Sequence, residues 1–357
     1  RPEAIKLAPL AAELASPRWG LEPRICVTAQ HRGLLDQVLG IFRIEPHHDL
    51  DLMRPAQTLA QSASSILARL EPVIRAEQPA CVVVQGDTTT AFCAALAGFY
   101  AGVPVAHVEA GLRTGNLQHP YPEELNRTLI GRVASHHLAP TESARQNLLR
   151  EGVKEHSIHV TGNTGIDAIL QTAARLGAQS QATSGKKNIL VTAHRRESFG
   201  EGFESICRAL RSIAQRGDVE ITYPVHPNPQ VRGVVERNLS NTPGITLLEP
   251  ADYPDFVRLM MRSDIVLTDS GGIQEEAPSL GKPVIVMRAT TERPEAVEAG
   301  TAVLAGTDQA AIVRETERLL DDPQEYARRS HIHNPFGDGR ASERIARILQ
   351  SHYGSTR

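Results

Sequence analysis

The sequence predicts an α/β protein with two doubly wound parallel sheets, one in each half of the chain. Three observations predict it. Short continuous apolar runs alternate with amphipathic stretches along nearly the whole chain, the pattern of strands buried on both faces between covering helices. At 357 residues the chain is too long for one ordinary core. A polar segment rich in small residues, LGAQSQATSGKK (176–187), interrupts the alternation and reads as a linker. The expected organisation is a Rossmann-like domain over 1–175, the linker over 176–187 and a second Rossmann-like domain over 188–333. A C-terminal helix within 334–357 is expected to pack back on the first domain.

In order along the chain, strands are expected at RICVT (24–28), ACVVVQ (80–85), PVAHVE (104–109), HHLAP (136–140) and IHVTG (158–162). Helical stretches separate them, among them 58–78 and 142–152. In the second half the strands are NILVTA (188–193), EITYPV (220–225), ITLLE (245–249), DIVLTD (264–269) and PVIVMR (283–288). In such sheets ligands bind beyond the carboxyl ends of the strands, so two domains of this kind facing each other are expected to enclose a cleft. The rule selects Asp87, Glu109, His194, His226, the run Asp269, Ser270, Gly271 and Gly272, and Arg293.

Composition narrows the function. Hydrophobic residues make up 41% and charged residues 22%, as in a soluble globular protein. The net charge of −3, with both signs mixed along the chain, argues against a broad nucleic-acid surface. The apolar runs are too short to cross a bilayer, and no signal segment opens the chain. Cys26, Cys81, Cys93 and Cys207 form no C-x-x-C pair, which fits free thiols in the cytoplasm. No spacing supports a zinc site, so no metal is expected.

The block HVEAGLRTGNLQHPYPEELNR (107–127) carries the most chemistry. Glu109 and the pair Glu123 and Glu124 are carboxylates on either side of two glycines and two prolines, with Arg113, His119 and Arg127 as partners for phosphate or carboxylate. In QGDTTT (85–90), Asp87 is either a helix N-cap or a catalytic carboxylate. In TDSGGIQEEAPSLG (268–281), Ser270-Gly271-Gly272 opens a helix whose exposed amides suit a diphosphate, although Ser270 also suits a plain N-cap. Glu276, six residues on, suits the two hydroxyls of a ribose. In AHRRESFGEGFE (193–204), His194, Arg195 and Arg196 favour an anion, with Glu197 as an alternative internal partner. His226 stands between two prolines in YPVHPNPQVR (223–232), where a packed structural histidine is the simpler reading.

Together these motifs, with RPEAIK (1–6), TAQHRGLLDQVL (28–39), TGNTGIDA (161–168) and TTERPEAVEAGT (290–301), closely resemble the bacterial non-hydrolysing UDP-N-acetylglucosamine 2-epimerases. The resemblance covers essentially the whole chain. It implies a glycosyltransferase-B-like fold with the nucleotide between the domains. It also implies interconversion of UDP-GlcNAc and UDP-ManNAc without metal or cofactor, by elimination of UDP to 2-acetamidoglucal and readdition. The implied catalytic residues are Asp87, Glu109, Glu123 and His194. The implied UDP contacts are Arg1, Lys6, Phe256, Ser270, Gly271, Gly272, Glu276 and Arg293. A homodimer serving cell-surface polysaccharide synthesis is the family expectation.

Two departures from the family stand out. The strand that precedes RPEAIK in the family has no counterpart in this sequence, which begins at Arg1, so a gap is expected in the first sheet, at the edge of the phosphate site. Many members also bind a second UDP-GlcNAc as an activator. The corresponding set here is Gln30, Glu124, Arg195 and His226, but two further contact positions are Gly33 and Ala56, which offer no side-chain hydrogen bond. Weakened activation is therefore expected. Competing readings are a hydrolysing epimerase that releases ManNAc, a transferase of the same fold, and a UDP-sugar sensor.

Overall fold

The structure, a computed structural model, describes residues 2–29, 32–52, 54, 57–177, 185–195 and 198–354. Among them lie twelve strands: β1 (Cys26–Val27), β2 (His48–Asp49), β3 (Val82–Gln85), β4 (Val105–Val108), β5 (His136–Ala139), β6 (Ile158–Val160), β7 (Lys187–Thr192), β8 (Val219–Pro224), β9 (Ile245–Leu248), β10 (Ile265–Thr268), β11 (Val284–Val286) and β12 (Ala302–Leu304). Among the described residues every strand pairing is parallel, from β1 with β2 to β11 with β12. The chain forms two compact units, Arg1–Ala168 with Phe336–Arg357, and Ile169–Pro335. The polar segment expected as a linker lies largely outside the described residues.

In the first unit β3, β4, β5 and β6 form a sheet in sequence order, beside a separate ladder of β1 and β2. All four residues of β4 and of β5 are buried, which is why these strands read as apolar runs despite three histidines among them. The helix Leu59–Glu77 begins where its sequence says it should. Thr58 accepts from the Gln61 amide at 3.2 Å and Gln61 accepts from the Thr58 amide at 2.9 Å, a reciprocal capping box. Ile66, Leu70 and Ile74 on its inner face pack with Leu50 and Cys93.

The C-terminal helix Ala341–Tyr353 joins the first unit through a carboxylate from far upstream. Asp167 accepts from the amides of Ala341 at 3.1 Å and Ser342 at 2.8 Å, capping a helix whose own N-cap residue, Arg340, gives no side-chain cap. Ile345, Ala346 and Leu349 then pack against Leu10, Val108 and Leu138.

The second unit is a six-stranded sheet in the order β12-β11-β10-β7-β8-β9. The strand order reverses between β7 and β10, which are direct neighbours with Thr192 opposite Thr268. That reversal is the switch point where α/β sheets place ligands. Phe203 and Tyr223 are fully buried in the core, and the Tyr223 hydroxyl donates to the Ala193 carbonyl at 2.8 Å. Tyr223 thereby ties the loop after β7 to β8.

Strands β2 and β12 were not anticipated. Two- and three-residue strands are too short for a periodicity to show, and β12 sits at a sheet edge with one partner. The expected strand RICVT shortens to Cys26–Val27. PVAHVE ends one residue early, at Val108, so Glu109 is not a strand residue.

Gly111 fixes how the chain leaves β4. Its φ is +89°, and a Cβ there would stand 2.3 Å from the Ala144 carbonyl oxygen. Both the backbone conformation and the space therefore require glycine. Gly111→Ala is expected to destabilise the protein by more than about 2 kcal/mol, read as a lower denaturant midpoint at unchanged slope.

Candidate active site

The first unit gathers its carboxylates where β3 and β4 end. His107, buried in β4, approaches the Gly86 carbonyl through Nε2 at 2.7 Å. Burial pushes its pKa down to about 4, so the ring is neutral and donates to that carbonyl. This contact pins the turn before Asp87. The helix Thr89–Tyr100 is capped by Thr88, whose hydroxyl accepts from the Ala91 amide at 3.1 Å. Asp87 is thus not the cap, and its carboxylate faces Arg127, with Nη2 to Oδ2 at 2.5 Å. Desolvation raises the Asp87 pKa; Arg127 and Lys6 oppose the rise, while Glu109 and Glu123 add to it. Asp87 thus feels the negative charge of both Glu109 and Glu123.

Glu109 sits just past β4 in the left-handed region, at φ +67°. Such a backbone costs a non-glycine residue about 1–2 kcal/mol. It is held by its amide, which donates to the Leu138 carbonyl at 3.0 Å, and by its side chain. Lys6 donates to both carboxylate oxygens, at 2.7 and 2.8 Å, and Gln85 donates to Oε2. Lys6, expected among the phosphate contacts, is therefore a partner of Glu109. Glu123 opens the helix Glu123–Val133 and is half-buried. The turns before it carry cis peptide bonds at His119–Pro120 and Tyr121–Pro122.

Glu124 has a different task. It is buried, and its oxygens accept from the amides of Thr114 and Gly115 at 3.0–3.1 Å, with Arg127 3.5 Å away. It shapes the loop between the two carboxylate clusters. Of the cations in that block, Arg113 pairs with Glu151 through two hydrogen bonds of 2.6 and 3.0 Å, Arg127 bridges Asp87 and Glu124, and His119 is exposed.

The second unit builds a separate constellation at its switch point. Asp269, fully buried after β10, accepts from the amides of His194 at 2.6 Å and Arg195 at 2.7 Å. Its other oxygen lies 3.5 Å from Nδ1 of His194. The His194 ring stacks on His226 with centroids 5.1 Å apart and planes at 13°. Burial lowers the His194 pKa; Asp269 opposes this, while His226 and Arg195 add to it. His226 is itself exposed and accepts from the Asn228 amide through Nδ1 at 3.1 Å.

Ser270 occupies the N-cap position of the helix Gly271–Glu276 but its hydroxyl does not cap. A Cβ at Gly272 would meet only the Glu276 and Ser270 side chains, at 3.9 and 4.0 Å, so the fold itself does not demand glycine there. Arg293 is anchored by the buried carboxylate of Glu275, and Arg288 by Glu292 through bonds of 2.6 and 3.0 Å. Phe256 is half-buried on the helix Tyr253–Arg262. Arg1, Gln30, Ala56, Arg196 and Glu197 lie outside the described residues, while Gly33 is exposed on the helix Arg32–Phe42.

The sequence reading nominated neither Gln85, His107 and Glu275 nor any function for Asp269. Their signal was present, as polar residues buried at strand ends or beside a nominated arginine, but each acts through a partner that only the fold supplies.

The model of the family described as UDP-N-acetylglucosamine 2-epimerase matches residues 14–350. The chain belongs to the UDP-N-acetylglucosamine 2-epimerase family. An enzyme of that name from Yersinia pestis is 54% identical over 364 aligned residues, covering 99% of this chain and 96% of its own. The Escherichia coli K12 enzyme is 52% identical with the same coverage. The crystal structure of the Neisseria meningitidis UDP-GlcNAc 2-epimerase bound to UDP-GlcNAc superposes with a TM-score of 0.90 at 44% identity, covering 98% of this chain and 97% of that one. The two parallel sheets are those of the epimerase fold, which is glycosyltransferase-B-like. The Methanocaldococcus jannaschii epimerase, in complex with UDP-GlcNAc and UDP, matches at 34% identity with a TM-score of 0.81 over 98% of this chain and 97% of its own.

Proposed function

We propose that this isomerase interconverts UDP-GlcNAc and UDP-ManNAc by elimination and readdition, using the carboxylates of the first unit and the nucleotide loop of the second. The observation that carries the reading is the grouping of Asp87 and Glu109, at the ends of β3 and β4, with Arg127 and Lys6 as their partners, and with Glu123 opening the next helix. Epimerisation at C2 requires a base to remove the proton on one face and an acid to return one on the other. As the C2–H bond breaks, its electron pair forms the C1–C2 double bond of 2-acetamidoglucal and the C1–O bond to UDP is released. In the return, a UDP oxygen attacks C1 and C2 takes a proton from the opposite side. No net oxidation occurs.

The cations beside the carboxylates keep them close together without full mutual repulsion, and each holds one in a fixed orientation. Carboxylates grouped beside two cations are suited to exchanging acid and base roles between the two directions. In the second unit, the free hydroxyl of Ser270 and the amides at Gly271 and Gly272 suit the diphosphate, Glu276 the ribose hydroxyls and Phe256 the uracil. His194, kept neutral by burial, suits proton transfer near the leaving diphosphate, with Arg1 and Arg293 as cations for its charge. Four free cysteines suit a cytoplasmic enzyme, and we assign it to supply UDP-ManNAc for polysaccharide synthesis as a homodimer. Among the described residues no helix is long and apolar enough to cross a membrane.

The test is incubation in deuterated water with NMR of the C2 proton. Deuterium at C2 together with UDP-ManNAc is the expected result. Free ManNAc as the product would favour a hydrolysing enzyme, and an unexchanged proton would refute elimination. Run from UDP-ManNAc alone, the reaction is expected to proceed without a lag, because Gly33 and Ala56 remove two activator contacts. A lag relieved by traces of UDP-GlcNAc would show that activation survives.

A further inference from the structure

Three histidines meet in the first unit, away from the carboxylates. His136 is the first residue of β5, His159 the middle residue of β6, and His352 lies in the last turn of the helix Ala341–Tyr353. Leu138 pairs with His159 across the two strands, and His136 is two residues from Leu138, so both histidines project from the sheet face on which Leu138 lies. The C-terminal helix packs on Leu138, which brings His352 to the same place. One ligand nitrogen from each ring lies within 4.8 Å of the others. The His136 ring stands 4.5 Å from His352 and 6.3 Å from His159, centroid to centroid.

Two further features point to a ligand. Nε2 of His159 is buried with no hydrogen-bond partner, and a buried polar nitrogen left so is costly. Nε2 of His136 lies 2.7 Å from the Tyr353 hydroxyl, the kind of contact that orients a metal-ligating ring. The carboxylates lie beyond the carboxyl ends of β3 and β4, whereas His136 is at the amino end of β5, so the cluster takes no part in the chemistry proposed above.

We propose that His136, His159 and His352 form a binding site for a divalent transition metal, zinc foremost, which fastens the C-terminal helix to β5 and β6. Imidazole ligands select zinc, copper, nickel and cobalt over magnesium or calcium, and three histidines with a water complete a tetrahedron. Zinc–nitrogen bonds of about 2.0–2.1 Å require the three nitrogens to draw closer than they stand, a side-chain adjustment that the exposed His352 can make. The ligands come from three separate elements, so no local sequence spacing reveals them.

The test uses the full chain stripped with chelator. Zinc is titrated by calorimetry, cobalt by its visible absorption, and melting is followed with and without zinc. One equivalent is expected to bind, to give a tetrahedral cobalt spectrum and to raise the melting temperature. His352→Ala, at an exposed position, is expected to keep the metal-free melting temperature and the epimerase activity. It should lose at least about tenfold in zinc affinity, since even losses among outer partners cost roughly 10–100-fold. His159→Gln supplies a second variant with the same expectation for zinc. Absence of binding, or equal affinity in the wild type and both variants, would overturn the proposal.

Discussion

Glu109→Gln and Asp87→Asn are each expected to lower turnover by roughly two to four orders of magnitude, the range of a general acid–base group, while UDP affinity stays within a few-fold. The neutral amides keep the shape of the cluster but remove the partners of Lys6 and Arg127, which hold these carboxylates at 2.5–2.8 Å. Turnover measured by NMR and UDP binding measured by calorimetry separate the two effects. The pH profile sharpens the test. Burial raises the Asp87 pKa above the ordinary aspartate value, so a step needing ionised Asp87 loses rate as pH falls, starting at a higher pH than a solvated aspartate would dictate. Asp87→Asn is expected to remove that acidic limb along with most of the rate. Retention of wild-type turnover by both variants would end the catalytic assignment.

Asp269→Ala is expected to cost about 2–5 kcal/mol of stability and to abolish measurable epimerisation. The side chain is fully buried, and removing it strands the amides of His194 and Arg195, at roughly 1–3 kcal/mol for each unsatisfied donor. Asp269→Asn separates the two consequences. Its amide oxygen can still accept from both backbone donors, so most of the stability should return. Its NH2 group would face Nδ1 of His194, now 3.5 Å from a carboxylate oxygen, and change which ring nitrogen carries the proton. Turnover is expected to remain at least about a hundredfold low. Denaturant midpoints and turnover on the two variants check this, and full activity in Asp269→Asn would leave His194 without a need for that carboxylate.

The same pairs of residues show what was legible in the sequence. Ten of the twelve strands could be read from short apolar runs, because both faces of a parallel sheet are covered and every position favours the same residue types. The polar residues after those runs were singled out by position. What each does was less visible. QGDTTT left Asp87 open between cap and reactive carboxylate; the fold gives the cap to Thr88 and sets Arg127, forty residues on, against Asp87. Lys6 was expected at a phosphate, and its contact with Glu109, across more than a hundred residues, was not visible. Adjacent Glu123 and Glu124 look alike in the chain, yet helix geometry leaves one half-exposed beside the cluster and buries the other against loop amides.

By itself the sequence determined the α/β class and the family and nominated the residues proposed to carry the chemistry, since these depend on local pattern and motif. Only the tertiary structure decided the pairings: Lys6 with Glu109, Arg127 with Asp87, Asp269 beneath His194, and three histidines around the C-terminal helix. The physical reason is that charge pairing, burial and ligand geometry act through space over a few ångströms, while the partners lie tens to hundreds of residues apart along the chain.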